Sequence, residues 1–175
     1  MKHIIFLVLI LMSLNNYSQE NEHNFILNED NTVLWQKVFL LEGTEIELKE
    51  KLIPFLKNQK FTTELEYSGS EFRGKSTTTN IKNSTDFTCF IIIELKENKY
   101  RVTIKDIIFE PINSGVNYGG IVSTSSKSYS FEYYVVNVEK NEFKNNKRTK
   151  DSLKSFDFDF DKFFTYKKPE KSSDW

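Results

Sequence analysis

The clearest pattern in the chain is an alternation of apolar and polar side chains that predicts paired β-strands. Two such segments, Phe87–Lys96 and Lys99–Phe109, are separated only by Glu97 and Asn98, which is the length of a tight hairpin turn. The first segment is apolar on both faces at its centre, as expected of an interior strand. In the second, apolar and polar residues alternate, so one face is predicted to enter the core and the other to stay outside.

Three more segments have the composition or spacing of strands. Thr32–Leu41 (TVLWQKVFLL) is one, and Phe61–Tyr67 alternates aromatic, threonine and leucine positions with polar ones, as a half-buried strand does. The turn residues 68–70 (Ser-Gly-Ser) lead into Glu71–Lys82, which is predicted to be the next strand.

A helix is predicted to begin after Thr44. Thr44 and Glu47 form a T-x-x-E capping box, in which each side chain accepts a hydrogen bond from an otherwise unpaired backbone N–H. Pro54 lies inside this helix and is expected to kink it or end it, because proline has no N–H to donate. An apolar stripe with helical spacing follows the capping box: Leu48, Leu52, Phe55 and Leu56.

The phenylalanine-rich segment near the C-terminus fits two periods. Phe156–Asp161 (FDFDFD) alternates like a strand, but a longer set of residues has helical spacing. Asp151 and Asp157 also suit the N-terminal half of a helix, where the macrodipole favours negative charge. We therefore predict a helix with this apolar stripe: Leu153, Phe156, Phe160, Phe163 and Phe164.

Two interpretations stay open for residues 130–139. Ser130 is placed to cap a helix in which Phe131, Tyr134, Val135 and Val138 share one face. The run of residues 133–136 (YYVV) fits a strand equally well.

The longest segment without periodicity is Ile112–Lys127, which is rich in glycine, serine and threonine. Loops of this length in compact domains are often functional. We take Tyr118, Gly119 and Gly120 as candidate ligand contacts within it.

The predicted order of elements is β-α-β-β-β-β, a long loop, and one or two helices. This order describes an α+β fold in which helices pack on one face of an antiparallel sheet of about five strands. The opposite face would stay in water and would carry Thr62, Glu64, Arg73, Lys75, Thr77, Arg101, Thr103 and Lys105. Its candidate binding residues are Arg73, Lys75, Thr77, Arg101, Thr103 and Lys105.

Residues 1–18 have the layout of a secretory signal peptide. Lys2 begins a short polar region, the apolar run Ile4–Met12 is too short to cross a bilayer, and polar residues follow it. Cleavage is expected after Ser18, with cleavage after Gln19 as the alternative. A buried N-terminal strand is the competing interpretation of this run. The signal peptide predicts export to the periplasm or the cell surface, and no segment after it could span a membrane.

The rest of the chain is divided into a loosely ordered polar leader (19–31), a single domain (32–166) and a polar tail (167–175). Among the 175 residues are 16 Phe and 8 Tyr, which supply enough apolar area for a packed core. The net charge of −1 gives no overall field that would attract nucleic acid. We therefore predict no nucleic-acid partner.

The residues of most catalytic and metal sites are scarce in this chain. After signal removal the only histidine is His23, and the only cysteine, Cys89, lies in an apolar stretch where we predict a core residue. Asp157, Asp159 and Asp161 have the spacing that opens a calcium loop, but lysines stand where such a loop needs Gly and Glu. We predict no metal, no cofactor and no catalytic residues.

A series of short motifs follows in order along the chain: Trp35–Phe39 (WQKVF), the helix after Thr44, Phe72-Arg73-Gly74, Lys99-Tyr100-Arg101, Tyr118-Gly119-Gly120, the Phe-rich last helix and Asp174-Trp175. In this order of motifs the chain resembles a group of exported Gram-negative bacterial proteins of unknown function with a TBP-like fold. The resemblance covers nearly all of the chain after the signal peptide. It implies a fold and an export route and supplies no catalytic residues. An uninterrupted helix with a tryptophan would be typical, so Phe55-Leu56 behind Pro54 is a departure.

These observations favour a non-catalytic binding module whose ligand is a small molecule, a glycan or an envelope protein. The open sheet face and the long loop are its candidate contact surfaces. Two other functions stay open. An envelope assembly subunit would use unpaired sheet edges, and a carboxylate-dependent hydrolase would need two acidic side chains in one cleft with shifted pKa values.

Overall fold

The computed structural model describes residues 23–62, 65–79, 86–110, 117–118, 121–122 and 127–168. The predicted signal segment and its cleavage positions Ser18 and Gln19 lie outside these residues. Of the helices in the described part, none is both long and apolar enough to span a bilayer.

An antiparallel sheet forms one layer of the fold, and in the described residues it has seven strands. They are β1 (Phe25–Leu27), β2 (Val33–Leu40), β3 (Glu66–Ser68), β4 (Glu71–Lys75), β5 (Phe87–Lys96), β6 (Lys99–Phe109) and β9 (Tyr129–Ser130). Their order is β1-β2-β6-β5-β4-β3, with β9 paired to β6, and sequence patterns did not indicate β1 and β9. Two small strand pairs of the described residues lie outside this sheet: β7 (Asn117–Tyr118) with β8 (Ile121–Val122), and β10 (Val136–Asn137) with β11 (Glu142–Phe143).

Three helices accompany the strands in the described part of the chain: α1 (Glu45–Asn58), α2 (Phe131–Val135) and α3 (Lys147–Phe164). The predicted capping box of α1 is confirmed, because the Thr44 N–H donates to Glu47 Oε2 over 2.7 Å and the Glu47 N–H donates to Thr44 Oγ1. The helix continues past Pro54 to Asn58, so the proline does not end it.

The predicted helical period of the C-terminal segment is confirmed. Helix α3 buries Leu153, Phe156, Phe160 and Phe164, while Phe163 is only half-buried. Asn146 caps the helix by accepting the Thr149 N–H at 2.9 Å. Phe158, the middle phenylalanine of the alternating segment Phe156–Asp161, points outward and is 61% exposed. The alternation therefore does not mark a strand, in which all three phenylalanines would share one face.

The hairpin of β5 and β6 has the boundaries that the sequence predicts, and it forms the centre of the sheet. Asn98 in its turn adopts a left-handed φ of 62°. A bulge interrupts the ladder farther along, where Asp106 has a φ of 52°. This extra residue reverses the alternation of β6, so Ile107 rather than Asp106 enters the core. Without the bulge a carboxylate would face the helices.

The core lies between one face of the sheet and the helices. Trp35, Phe87 and Phe160 are completely buried, and the rings of Phe160 and Trp35 meet edge to face at 5.5 Å. Tyr100 is 1% exposed and donates its hydroxyl proton to the Phe164 carbonyl oxygen. Trp35 and Tyr100 are therefore core residues.

A single carboxylate oxygen ties helix α3 to the first two strands. Asp157 Oδ1 accepts the backbone N–H of Asn24 at 2.9 Å, the Asn24 side-chain amide at 2.8 Å and the Trp35 indole N–H at 2.8 Å. One turn later, Asp161 pairs with Lys37 at 2.7 Å. Helix α3 is thus held to one edge of the sheet, on the core side.

Several sequence predictions are wrong in their details. Lys60–Thr62 forms a turn of 3₁₀-helix, so the predicted strand Phe61–Tyr67 is reduced to β3. The strand predicted for residues 71–82 ends at Lys75, and only an isolated bridge between Thr79 and Phe87 follows in the described residues. These segments alternate in polarity, but Phe61 and Thr62 are both buried, which a half-buried strand would not allow.

The predicted boundary between leader and domain is also wrong, because β1 pairs with β2 and buries Phe25.

Residues 130–139 are neither a helix nor a strand over their whole length. Helix α2 occupies 131–135 without a side-chain cap from Ser130, and a short strand follows it. Val138 is 65% exposed and does not share a buried face with Phe131.

Candidate functional site

The candidate site is the face of the main sheet that points away from the core. Because strand side chains alternate between the two faces, the residues between the buried positions of each strand lie on this side. We call it the open face, and define it by Gln36, Val38, Leu40, Arg73, Lys75, Phe90, Ile92, Glu94, Arg101, Thr103 and Lys105.

The structure brings five of the six predicted binding residues onto this face. Arg73 and Lys75 lie on β4, and Arg101, Thr103 and Lys105 lie on β6, with β5 between the two strands.

The other polar residues predicted for this face behave differently. Thr77 lies beyond the end of β4. Thr62 is buried in the 3₁₀ turn, where its hydroxyl donates to the Leu56 carbonyl at 2.6 Å, so its prediction as an open-face residue is wrong. Glu64 lies outside the described residues.

The two arginines of the open face form ion pairs with carboxylates on the same face. The Arg101 guanidinium binds Glu94 through two hydrogen bonds of 2.7 and 2.6 Å, in a fork-like geometry. Arg73 pairs with Glu71. The arginines therefore contribute less net positive charge to the surface than their number suggests.

Two lysines on the open face lie on either side of an aromatic ring. Lys75, Phe90 and Lys105 occupy directly opposite positions on β4, β5 and β6. The Lys105 ammonium lies 5.4 Å from the centroid of the Phe90 ring, and 4.0 Å from Asp106 at the outer limit of an ion pair. We call these three residues the cationic row.

Sequence patterns did not indicate Phe90 as a surface residue, because β5 was taken as an interior strand buried on both faces. Its exposure alternates, with Cys89, Ile91 and Ile93 buried and the residues between them half-buried. The signal available in the sequence was the alternation of the facing strand β6, since directly opposite residues of an antiparallel pair share a face.

The centre of the open face is tightly packed although it is uncovered in the described structure. Gln36 donates its side-chain amide to Thr103 Oγ1 at 3.0 Å, and Thr103 is only 8% exposed. Ile92 lies directly opposite Thr103 on the next strand. The centre of this face thus combines one hydrogen-bonded polar pair with an apolar side chain.

The carboxylates of the open face are held in ion pairs. Glu71 and Glu94 are directly opposite one another on β4 and β5, but each binds an arginine. The hydrogen bonds from Arg101 lower the pKa of Glu94 below its usual value of 4.5, whereas a general acid at neutral pH needs a raised pKa.

The cysteine and the aspartates that were considered for catalysis or metal binding have structural roles instead. Cys89 is buried, and burial raises the pKa of its thiol to about 12, as expected of a core residue. Asp157 and Asp161 lie on α3 and bind the sheet as described above. In the described part of the chain, no three Asp, Glu, His or Cys side chains are grouped as metal ligands would be.

Of the candidate loop residues, Tyr118 lies in β7 and pairs with Ile121 of β8. Gly119 and Gly120 lie outside the described residues, so the predicted loop contacts remain a prediction.

Comparisons with solved structures show the fold. The chain is similar to the crystal structure of a TBP-like protein from Parabacteroides distasonis ATCC 8503, with a TM-score of 0.52 and 14% identity over 78% of this chain and 90% of that one. It also matches a DUF4468 family protein from Bacteroides ovatus ATCC 8483, with a TM-score of 0.47 and 14% identity over 81% and 86% of the two chains. No protein-family model and no curated protein matches the sequence. The predicted α+β, TBP-like fold is confirmed by the first of these structures.

The pair of Glu94 and Arg101 gives a testable pH dependence. Because the pKa of Glu94 is lowered in the folded protein, its contribution to stability is present above the unfolded value near 4.5 and is lost as the pH falls through the folded value. In an NMR titration we expect the Glu94 carboxyl to titrate below 4.5, and Arg101→Gln to raise its midpoint. Arg73→Gln removes the same charge from the same face and should leave it nearly unchanged. An unaltered midpoint in Arg101→Gln would contradict the assigned cause.

Proposed function

We propose that this protein is an exported, non-catalytic binding module that receives an anionic ligand on the open face of its sheet. The observation that carries the proposal is the cationic row, in which Lys75 and Lys105 lie on either side of Phe90. An anionic group above this row could contact both ammonium groups while an apolar part of the ligand packs on the ring.

The charge arrangement supports the cationic row over the arginines as the centre of binding. Arg73 and Arg101 already bind Glu71 and Glu94, so a ligand would have to displace a carboxylate to reach either guanidinium. Lys75 is exposed, and the nearest carboxylate to Lys105 lies at the limit of an ion pair. The two lysines are therefore the more available cations.

The extent of the face bears on the size of the ligand. Strands β4, β5 and β6 lie side by side here, and their opposite side is packed on the core. A face that extends over neighbouring strands suits a ligand that lies across them, such as a charged glycan or a segment of an envelope protein. Nucleic acid is not our proposed ligand, because the net charge is −1 and carboxylates are interspersed among the cations.

Export is the second part of the proposal, and it rests on the sequence of residues 1–18. The run Ile4–Met12 behind Lys2 has the length of a signal peptide's apolar region. The ligand would then be a component of the periplasm or the cell surface.

A thermal-shift screen of the purified protein against lipids, glycans, nucleotides and divalent ions tests the binding proposal. A ligand at 100 times its Kd should add about 2.7 kcal/mol of stability. We expect a shift with an anionic class, weakened by added salt, and its loss in the double variant Lys75→Gln/Lys105→Gln.

The matched control is Lys96→Gln/Lys99→Gln, which removes the same charge from the far ends of β5 and β6. By strand geometry these lysines lie about 20 Å from the cationic row, so the control should retain the shift. If the two double variants bind equally well, or if only neutral compounds bind, the cationic row is not the site.

Export is tested by expressing the whole chain in a Gram-negative host and sequencing the N-terminus of the product. We expect the protein in the periplasmic or extracellular fraction, beginning at Gln19 or Glu20. Leu9→Arg places a charge in the apolar run and should keep the chain uncleaved in the cytoplasm. An uncleaved Met1 in the cytoplasmic fraction of the unaltered protein would rule out the signal peptide.

A further inference from the structure

The outer edge of β2 is only partly covered by its neighbour in the sheet. Strand β1 pairs with Val33–Trp35, and one more bond links the Gln36 N–H to the Asn24 carbonyl at 3.0 Å. There the ladder stops, because the Asn24 N–H donates to Asp157 instead of to Gln36. The ring of His23 packs edge to face against that of Phe143 at 5.6 Å.

Two residues of β2 therefore present unpaired backbone groups at this edge, as far as the described residues extend. Backbone groups alternate between the two edges of a strand in an antiparallel sheet. Leu41 donates to Asn98 on the β6 side and Gln36 donates to Asn24 on the β1 side, which places the N–H and C=O of Val38 and Leu40 on the outer side. We call these groups the free edge.

The side chains at the free edge are apolar and exposed. Val38 is 50% exposed and Leu40 is 86% exposed, and both lie on the open face. Natural sheets usually protect such an edge with lysine, proline or an inward-pointing charge. Here the inward-pointing charge of Lys37 is neutralised by Asp161 at 2.7 Å. Phe158, three residues before Asp161 on α3, adds an exposed ring on the same flank of the helix.

We propose that the free edge binds the free edge of a second copy of this chain, in antiparallel orientation, with Val38 opposite Leu40 of the other copy. In this register the N–H and C=O of Val38 bond to the C=O and N–H of Leu40, and the two-fold axis repeats the pair. The two apolar side chains then become cross-strand neighbours on the open face.

The structure favours this register over the two adjacent ones. A register centred on Val38 would place Leu40 of the second copy beside Gln36, where Asn24 already lies. A register centred on Leu40 would require the Glu42 carbonyl, which already accepts a hydrogen bond from Lys51 at 2.6 Å. The register with Val38 opposite Leu40 pairs the N–H and C=O groups of both residues and needs no backbone group of Gln36 or Glu42.

This pairing would join the two sheets into one and place both helix layers on the same side. Phe158 of each copy would face the seam, and the two open faces would become continuous. The seam is short, so we expect dimerisation that depends on protein concentration rather than a permanent dimer. The proposal does not depend on the proposed function, since it uses none of the residues of the cationic row.

Sedimentation over a range of protein concentrations tests the dimer. We expect the unaltered protein to shift from monomer to dimer, and Leu40→Lys to stay monomeric throughout the same range. Ile46→Lys makes the same change at a residue of α1 that is 72% exposed, and it should dimerise like the unaltered protein. Circular dichroism and thermal unfolding of the three proteins establish that each is folded.

A cysteine-mixing experiment tests the register. Val38→Cys and Leu40→Cys are prepared separately and then oxidised together, and a cross-linked dimer should form much faster in the mixture than in either protein alone. The native Cys89 is buried and should not react. A mixture of Val38→Cys with Ile46→Cys is the control and should not cross-link.

Three results would overturn the proposal. They are a monomer at every concentration tested, a dimer that Leu40→Lys leaves intact, and cross-linking of Val38→Cys or Leu40→Cys alone as fast as in the mixture. The last result would show that the copies pair in a different register.

Discussion

The carboxylate of Asp157 is the constraint on which the arrangement of this molecule depends. Its Oδ1 atom accepts N–H groups from the backbone and side chain of Asn24 and from the indole of Trp35. These donors belong to the start of the sheet, and the acceptor belongs to the last helix, so the contact closes the fold between its two ends. Trp35 is completely buried, and an unpaired indole N–H at that position would be costly.

The surface features of the molecule follow from this closure. Helix α3 is held on the core side of β1 and β2, and Lys37–Asp161 continues the contact one turn later. The helices of the described structure thus lie on one side of the sheet, and the side that carries the cationic row is left uncovered. The same hydrogen bonds divert Asn24 from the β1–β2 ladder and leave the outer edge of β2 open at Val38 and Leu40.

Sequence patterns predicted the elements in which local and tertiary preferences agree. The β5–β6 hairpin, the capped start of α1 and the helical period of α3 were correct because each combines a strong period with a turn or cap residue. The segment at Phe61 and Thr62 failed because a polarity pattern cannot show that both residues are buried by long-range contacts. Strand β1 was missed because its three residues, Phe-Ile-Leu, are too few to show a period, and they lie in an otherwise polar segment.

The candidate site was predicted in part for the same reasons. The lysines and arginines on β4 and β6 were placed on one face by simple alternation. Phe90 was missed because apolar residues on both faces of β5 suggested burial, and the ion pairs of Arg73 and Arg101 depend on cross-strand and same-strand geometry that the sequence does not display.

The most direct test of this account is the free energy of unfolding of Asp157→Ala, measured by urea denaturation. We expect a loss of about 2–4 kcal/mol, because three donors lose a charged acceptor and the buried indole N–H of Trp35 is left unpaired. Asp159→Ala, two residues along the same helix, removes the same charge and should change the free energy by less than about 0.5 kcal/mol. If the two variants are equally stable, Asp157 does not hold the fold together and the central claim is wrong.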